Sequence, residues 1–156
     1  MDPDFYDASI RNSVSYLQRC QSAVKLMEKW LPTPSSVLDL GCGARYLRDL
    51  LPPSLTYIAA DLASDDDDVI LCDLNKGEFP EVRVDMTFLL GVAEYLTDLP
   101  SVLEKIRSHS KSLIFTYDHS MSVRGRQSSF SDSELDGFVE RWAFFKKHNY
   151  WRILSR

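Results

Sequence analysis

The stretch SVLDLGCGARYL, residues 36–47, decides the fold of this chain. Its apolar run over 37–40 predicts a short buried strand, and residues 45–51 predict a helix that two prolines end. Gly41 and Gly43 lie between the two elements and let a ligand approach the backbone without a Cβ in the way. A strand, a glycine turn and a helix in this order are typical of a nucleotide-type binding site.

Further apolar runs alternate with helical patterns along the chain. Helices are predicted over 9–31, where apolar residues recur at helical spacing behind Ser9, and over 99–108. The run Ser131-Asp132-Ser133-Glu134 is a capping box and predicts a helix to about residue 141. Strands are predicted over 56–60, 69–72, 84–90 and 113–117, and over 143–147 and 150–154, which His148-Asn149 would join as a hairpin.

Strands that alternate with helices predict an α/β fold with a doubly wound, mostly parallel sheet covered on both faces. The closing hairpin would add one antiparallel strand. Between Asp61 and Val69 the crossover is too short for a full helix, so we expect an extended loop or one short turn there. A chain of 156 residues is expected to form one domain.

The composition excludes several classes of protein. A net charge of −5 argues against a general nucleic-acid binder, which would normally present a basic face. The three cysteines are widely spaced and form no CxxC pair, so neither a disulfide framework nor a zinc site is indicated and a reducing cytoplasm is expected. The acidic run over 65–68 lacks the alternation and the Glu of a calcium loop and is expected to be solvated, so no metal is predicted. The N-terminus lacks a signal-peptide pattern, and no apolar run is long enough to span a bilayer.

The predicted strand ends carry groups that suit one common ligand, because ligands of doubly wound sheets bind beyond the carboxyl ends of the strands. Asp61 follows the glycine turn by about twenty residues and suits the two hydroxyl groups of a ribose. Asp73 lies beside Cys72 and Leu74, and a carboxylate next to apolar residues suits an exocyclic amino group with its ring packed nearby. Gly91 allows another close backbone approach. Together these groups suit an adenosine that carries an amino-acid tail.

A dinucleotide fits this pattern less well. A pyrophosphate favours the full G-x-G-x-x-G turn, whereas Tyr46 occupies its sixth position here. Asp39 also places negative charge close to where phosphates would lie. An ammonium group, in contrast, is favoured by Asp39 and by carbonyl groups at the strand ends.

Four motifs in order, VLDLGCG, YIAADL, ILCDL and MTFLLGVAEYLTDLPSVLEKI, resemble the class I (Rossmann-like) S-adenosylmethionine-dependent methyltransferases, and small bacterial members most of all. The resemblance covers residues 36–117. It implies that S-adenosylmethionine is the cofactor. The cofactor-binding residues that it implies are Asp39, Gly41, Cys42 and Gly43 at the methionine part, Asp61 at the ribose, Leu62, Cys72, Asp73 and Leu74 at the adenine, and Gly91 below the reacting methyl group.

The glycine turn departs from the family pattern. Members of the family often read GCGxGxL, whereas this chain reads GCGARYL, so that either one residue is missing or the third glycine is replaced. Arg45 is the residue that we expect to offset the change, because a guanidinium group suits the methionine carboxylate.

Three residues beyond the cofactor site are candidates for catalysis. His119 follows the fifth strand and could deprotonate an acceptor near neutral pH, although an ordinary loop histidine is the alternative. Glu94 and Tyr95 follow the fourth strand, where this superfamily places substrate or catalytic groups.

The resemblance divides the domain into three parts. Residues 1–34 would form an N-terminal helical lid, in which Tyr6 and Tyr16 could cover the cofactor or pack against the sheet. Residues 35–120 would form the cofactor-binding core. Residues 121–156 would form the acceptor-side loop, helix and terminal hairpin. The loop carries Arg124 and Arg126, which could hold an anionic acceptor or be solvated.

The resemblance implies methyl transfer, and we expect the acceptor to be an oxygen or nitrogen atom of a small molecule or sugar. The chain is short for a large recognition domain, and it lacks an Asn/Asp-Pro-Pro-Tyr/Phe signature after the fourth strand, which argues against nucleobase amino methylation. A methyltransferase-like binding or scaffold protein with little activity is the alternative, and a nicotinamide oxidoreductase is disfavoured by the missing glycine. No membrane partner is expected, and the oligomeric state is left open.

Overall fold

The structure, a computed structural model, describes residues 14–30, 34–117, 139–145 and 148–153. Within these ranges the chain alternates between strands and helices. The strands are β1 (Ser36–Leu40), β2 (Thr56–Asp61), β3 (Val69–Leu71), β4 (Val84–Leu89), β5 (Ser110–Thr116), β6 (Val139–Phe145) and β7 (His148–Ile153). The helices are α1 (Val14–Trp30), α2 (Tyr46–Leu50) and α3 (Leu99–His109), with short 3-10 turns at Leu74–Lys76 and Ala93–Tyr95.

The strands form one sheet in the order β3-β2-β1-β4-β5-β7-β6. The first five strands in that order are parallel to one another. Strand β7 runs antiparallel to both β5 and β6. The α/β class and the parallel sheet predicted from the sequence are therefore confirmed. Strand order reverses between β1 and β4, so the crevice expected for a ligand opens at their carboxyl ends.

The end of the described chain differs from the sequence prediction in its boundaries. Residues 139–141, expected to close a helix, begin β6 instead, and His148 and Asn149, expected to form a turn, pair with Phe145 and Phe144 as strand residues. The β-branched and aromatic residues of VERWAFF favour a strand, and pairing with β7 outweighs the helical signal upstream. The predicted loop 118–130 and the first part of the predicted helix, 131–138, lie outside the described residues.

The two faces of the sheet are covered by different helices, because side chains alternate along each strand. On one face, Val37 and Phe88 pack against α1, whose Cys20, Ala23, Val24 and Met27 recur at helical spacing. On the other face, Leu38 and Leu40 pack in one cluster with the apolar stripe of α3 (Leu99, Val102, Leu103 and Ile106). Burial of these two layers holds the strand ends in register around the crevice.

The connections have the lengths that the sequence predicts. Residues 62–68, between β2 and β3, contain no helix. Helix α3 begins behind Asp98, whose carboxylate accepts a hydrogen bond from the backbone N–H of Ser101 over 3.0 Å, with Pro100 in the first turn. None of the described helices is long and apolar enough to cross a membrane.

Candidate functional site

The glycine turn after β1 is held against the end of β2. The backbone N–H groups of Gly41 and Cys42 both donate hydrogen bonds to the carbonyl oxygen of Ala60, over 2.7 and 3.1 Å. Gly41 and Gly43 adopt positive φ angles of 84° and 51°, which favour glycine. A Cβ at Gly41 would collide with the side chain of Val92, so this turn packs directly on the segment after β4.

Arg45 occupies the position of the third glycine of the family pattern. Its φ angle is 58°, and it is the one non-glycine residue with a positive φ among the described residues. Its backbone N–H donates a hydrogen bond to the carbonyl oxygen of Cys42 over 2.8 Å, and α2 begins at the next residue. Arg45 thus holds, in the left-handed region, a backbone conformation that favours glycine, which is compatible with replacement of the third glycine.

The side chain of Arg45 turns towards the acidic loop between β2 and β3. Its Nη2 lies 3.0 Å from a carboxylate oxygen of Asp66, and its Nη1 lies 2.8 Å from a carboxylate oxygen of Asp68. Hydrogen bonding to Arg45 holds the pKa of Asp68 below its usual range. The sequence prediction directed this guanidinium at a methionine carboxylate, whereas the structure places it on two carboxylates of the chain itself.

Asp61 connects the glycine turn to the end of β2. Only 3% of this residue is exposed. One carboxylate oxygen accepts a hydrogen bond from the backbone N–H of Gly43 over 2.6 Å, and the other accepts one from the N–H of Leu62 over 2.7 Å. Because an ionised carboxylate has about four acceptor positions, Asp61 retains capacity for two further donors.

A pocket of about 390 Å³, a volume that includes space open to solvent, lies at the carboxyl ends of the parallel strands. It is lined by Leu40, Gly41, Asp61, Leu62, Cys72, Asp73, Leu74, Asn75, Val92, Tyr95 and Leu96. Most of the lining is apolar, and two carboxylates, Asp61 and Asp73, supply the charged groups.

The structure brings together half of the residues that sequence reasoning singled out. Those that line the pocket are Gly41, Asp61, Leu62, Cys72, Asp73, Leu74 and Tyr95. Leu40, Asn75, Val92 and Leu96 were missed. Their positions directly before or after predicted strand-end residues were the available signal, since residues next to a strand end share its edge of the sheet.

Asn75 ties the two walls of the pocket together. Its Nδ2 donates a hydrogen bond to the carbonyl oxygen of Tyr95 over 3.0 Å, and its Oδ1 accepts one from the backbone N–H of Thr97 over 2.9 Å. Its own backbone N–H donates to a carboxylate oxygen of Asp73 over 3.0 Å. The hydrogen bonds of Asn75 therefore connect the turn after β3 to the turn after β4 across the pocket.

Asp39 lies beneath the glycine turn and is absent from the pocket lining. It is 2% exposed, and the hydroxyl group of Tyr57 donates a hydrogen bond to its Oδ2 over 2.6 Å. Burial raises the pKa of this carboxyl group to about 7, against the effect of the Tyr57 hydrogen bond and with a smaller contribution from Asp61. The side chain is thus a buried acid on β1 that is bonded to β2 through Tyr57.

The remaining predicted residues are placed as follows. Gly91 has a φ angle of 69°, and its N–H donates a hydrogen bond to Oγ1 of Thr116 over 2.8 Å. Glu94 is buried at 5% exposure in the turn after β4, and Cys42 is buried at 1% exposure. His119 lies outside the described residues.

Helix α1 contributes two residues at this edge of the sheet. The hydroxyl group of Tyr16 donates a hydrogen bond to the carbonyl oxygen of Gly41 over 3.1 Å. The guanidinium group of Arg19 fills the space that a Cβ at Gly91 would need. Tyr16 was a candidate from the sequence. Arg19 was missed, because the only signal for it was its position three residues after Tyr16 on the predicted helix.

Comparison with known proteins finds similarity in structure alone. No protein-family model matches the chain, and no curated protein matches it. A SAM-dependent methyltransferase from Aquifex aeolicus is 19% identical, with a TM-score of 0.64 over 96% of this chain and 100% of that one. Magnesium protoporphyrin IX methyltransferase (ChlM) from Synechocystis PCC 6803, solved with SAH bound, is 12% identical, with a TM-score of 0.63 over 90% of this chain and 82% of that one.

Other similar structures are considerably longer than this chain. An S-adenosylmethionine-dependent methyltransferase from Clostridium acetobutylicum ATCC 824 is 19% identical, with a TM-score of 0.57 over 74% of this chain. This chain spans 55% of its length. At these levels of identity the likeness concerns the fold. The chain has the Rossmann-like fold of the class I S-adenosylmethionine-dependent methyltransferases.

Proposed function

We propose that this protein is an S-adenosylmethionine-dependent methyltransferase that acts on an oxygen or nitrogen atom of a small-molecule or sugar-type acceptor. The observation that carries the proposal is Asp61, a buried carboxylate that lines a pocket of about 390 Å³ and retains acceptor capacity. It lies at the strand edge where doubly wound sheets bind ligands. Two ribose hydroxyl groups are donors that such a carboxylate suits.

The walls of the pocket support an adenine beyond the ribose. Leu62, Leu74 and Leu96 supply apolar surface on which a flat ring can pack. Asp73 lines the same pocket and could accept a hydrogen bond from an exocyclic amino group. Gly41 lines the same pocket with its backbone, whereas the space that a Cβ at Gly91 would need is filled by the guanidinium group of Arg19.

S-adenosylmethionine supplies, when bound, a methyl carbon that its positively charged sulfonium group makes electrophilic. The contribution of the chain is then to hold an acceptor in line with that carbon and to exclude water. Tyr95 lines the pocket and is our candidate for contact with the acceptor. We propose Glu94 as a second candidate, and His119 as the base for an acceptor that carries a proton.

The intact conformation of the glycine turn favours this function over a methyltransferase-like scaffold without cofactor. Arg45 adopts the left-handed conformation that a glycine would have, and Tyr46 packs in the cluster beneath α1 and is absent from the pocket lining. Neither Arg45 nor Tyr46 is therefore among the residues that line the pocket. The three buried, unpaired cysteines are compatible with a reducing cytoplasm, which we propose as the location.

Calorimetric titration with S-adenosylmethionine, S-adenosylhomocysteine and NAD tests the proposal. We expect saturable binding of the first two ligands and none of NAD. Folded protein that binds neither adenosyl ligand would contradict the enzyme and favour the scaffold. Saturable binding of NAD would favour an oxidoreductase. Formation of S-adenosylhomocysteine with a panel of small hydroxyl and amine acceptors would then identify the acceptor class.

A further inference from the structure

The loop between β2 and β3, residues 62–68, contains no helix. Neighbouring parallel strands are usually joined by a crossover of about a dozen or more residues, most often a helix that packs on the sheet and holds the connection in place. This loop is too short for such a helix. Its position beside the pocket therefore depends on contacts made by its own side chains.

The first residue of the loop, Leu62, lines the pocket. At this end the loop is fixed to the glycine turn through Asp61. One carboxylate oxygen of Asp61 accepts a hydrogen bond from the N–H of Gly43, and the other accepts one from the N–H of Leu62. How closely Leu62 packs on a ligand then depends on the path of the residues that follow it.

Arg45 fixes the other end of the loop to the same turn. Its Nη1 donates hydrogen bonds to both carboxylate oxygens of Asp68, each over 2.8 Å, and its Nη2 lies 3.0 Å from a carboxylate oxygen of Asp66. The side chain of Arg45 is 17% exposed, so this guanidinium group is largely enclosed by its partners. Gly43 and Arg45, two positions apart in the turn, therefore hold the two ends of the loop.

The backbone conformation of Arg45 points to a role for its side chain. Its φ angle of 58° lies in the region that favours glycine, and a strained conformation of this kind is retained where the side chain has a function. Glycine would relieve the strain, but it would remove the contacts to Asp66 and Asp68.

We propose that Arg45 is a positioning residue whose ion pairs hold the loop 62–68 against the pocket and so strengthen binding of the adenosine part of the cofactor. The ion pairs take the place of the crossover helix that this connection lacks. The inference rests on the proposed function, and it gives Arg45 an effect on the cofactor that acts through Leu62 and requires no contact with the ligand.

Calorimetry with 5′-methylthioadenosine tests this role, because this ligand keeps the adenine and ribose, is uncharged and lacks the amino-acid end. At low salt Arg45→Gly should lower the affinity about three- to tenfold, the effect of losing two partly exposed ion pairs. Affinity for S-adenosylhomocysteine should fall by the same factor, since both ligands carry the nucleoside. High salt should weaken binding by the wild type towards the value of Arg45→Gly, because it screens the ion pairs.

Variants of the loop provide matched controls. Asp66→Asn combined with Asp68→Asn removes the same ion pairs without a change in the turn and should lower the affinity as much as Arg45→Gly. Combining all three changes should bring no further loss, because the three residues act as one unit. Asp65→Asn combined with Asp67→Asn changes the charge of the loop equally, keeps the contacts of Arg45 and should bind as the wild type does.

Amide hydrogen exchange of residues 62–68 gives a second readout that needs no ligand. Exchange in this loop should be faster in Arg45→Gly than in the wild type, because local opening becomes easier when the ion pairs are lost. Thermal melts check that the variant is folded. Lower affinity in a folded variant with less strain in its turn separates positioning from a general loss of stability.

The outcomes distinguish this inference from the proposed function. Wild-type protein that binds neither ligand would overturn both. If the wild type binds them and Arg45→Gly binds them equally well, or its loop exchanges no faster, the inference alone is wrong. A loss confined to S-adenosylhomocysteine would also overturn it, because Arg45 would then act on the amino-acid end. So would an equal loss in the variant with Asp65→Asn and Asp67→Asn, which would indicate a general effect of charge.

Discussion

The hydroxyl group of Tyr16 donates a hydrogen bond to the carbonyl oxygen of Gly41 over 3.1 Å and ties α1 to the end of β1. The same hydroxyl oxygen lies 3.4 Å from the carbonyl oxygen of Leu90, just after β4. One side chain of the first described helix therefore bridges the two strands between which the crevice opens. In the proposed complex the cofactor's ammonium group would donate hydrogen bonds to these carbonyl oxygens, so the Tyr16 hydroxyl group would have to release them.

Tyr16→Phe is therefore expected to raise the affinity for S-adenosylhomocysteine. The variant removes the competing donor, and a net hydrogen bond of about 1 kcal/mol corresponds to an increase in affinity of about fivefold. Calorimetry measures the effect, and 5′-methylthioadenosine, which has no ammonium group, serves as the control with unchanged affinity. A weaker complex with S-adenosylhomocysteine would show that the hydroxyl group assists binding and does not compete.

Asp61→Ala is expected to weaken cofactor binding by about 1–3 kcal/mol, the scale for hydrogen bonds to a charged group. The same change removes the acceptor of the Gly43 N–H, which lies 2.6 Å from the carboxylate, so a lower melting temperature should accompany it. Asp61→Asn is the matched control, because it keeps the shape and one acceptor oxygen and should lose less of both. Unchanged affinity in Asp61→Ala would mean that the ribose lies elsewhere.

Variants of Arg45 test how backbone strain and ion pairing each contribute to the stability of the glycine turn. A non-glycine residue in the left-handed region costs about 1–2 kcal/mol, whereas exposed ion pairs contribute about 0–1 kcal/mol each. Both Arg45→Gly and Arg45→Ala remove the ion pairs with Asp66 and Asp68, but only the glycine relieves the strain at a φ angle of 58°.

Arg45→Gly is accordingly expected to be more stable than Arg45→Ala by about 1 kcal/mol in denaturant unfolding. High salt should reduce the difference in the free energy of unfolding between the wild type and Arg45→Ala, because it screens exposed charges. Equal stability of the two variants would mean that the turn is not strained at this position.

The buried carboxyl group of Asp39 predicts a pH dependence of stability. Its pKa rises from 3.8 to about 7, with burial as the largest cause. Between these values the unfolded chain has lost the proton while the folded protein keeps it, so the free energy of unfolding falls as pH rises from about 4 to about 7. Integrated over that interval, the loss approaches about 4 kcal/mol.

Asp39→Asn removes this titration and lets the Tyr57 hydroxyl group donate to an amide oxygen. We expect the stability of the wild type, measured relative to the variant by urea unfolding, to fall between about pH 4 and pH 8. Tyr57→Phe, which deprives the carboxylate of its donor, should raise the pKa of folded Asp39 further and so extend the fall in stability to higher pH. A constant difference between wild type and Asp39→Asn across this range would show that Asp39 does not hold its proton in the folded state.

Local patterns in the sequence were sufficient for the α/β class, the parallel strands and most of the pocket lining. The run VLDL, the two glycines and the acids Asp61 and Asp73 each report a short-range requirement: a buried strand, a tight turn, a polar strand end. Because parallel strands end at the same edge of the sheet, placing such residues at strand ends also places them near one another.

Only the tertiary structure decided which side chains face the crevice. Sequence reasoning put Arg45 at the ligand, yet the left-handed backbone and the carboxylates of Asp66 and Asp68 turn it outward. Arg19 lies fewer than thirty residues before the glycine turn, but its proximity to Gly91 depends on how α1 packs across the sheet. Long-range packing carries no local signature in a single sequence, whereas strand, turn and helix patterns do, and this difference separates what the sequence determined from what the fold added.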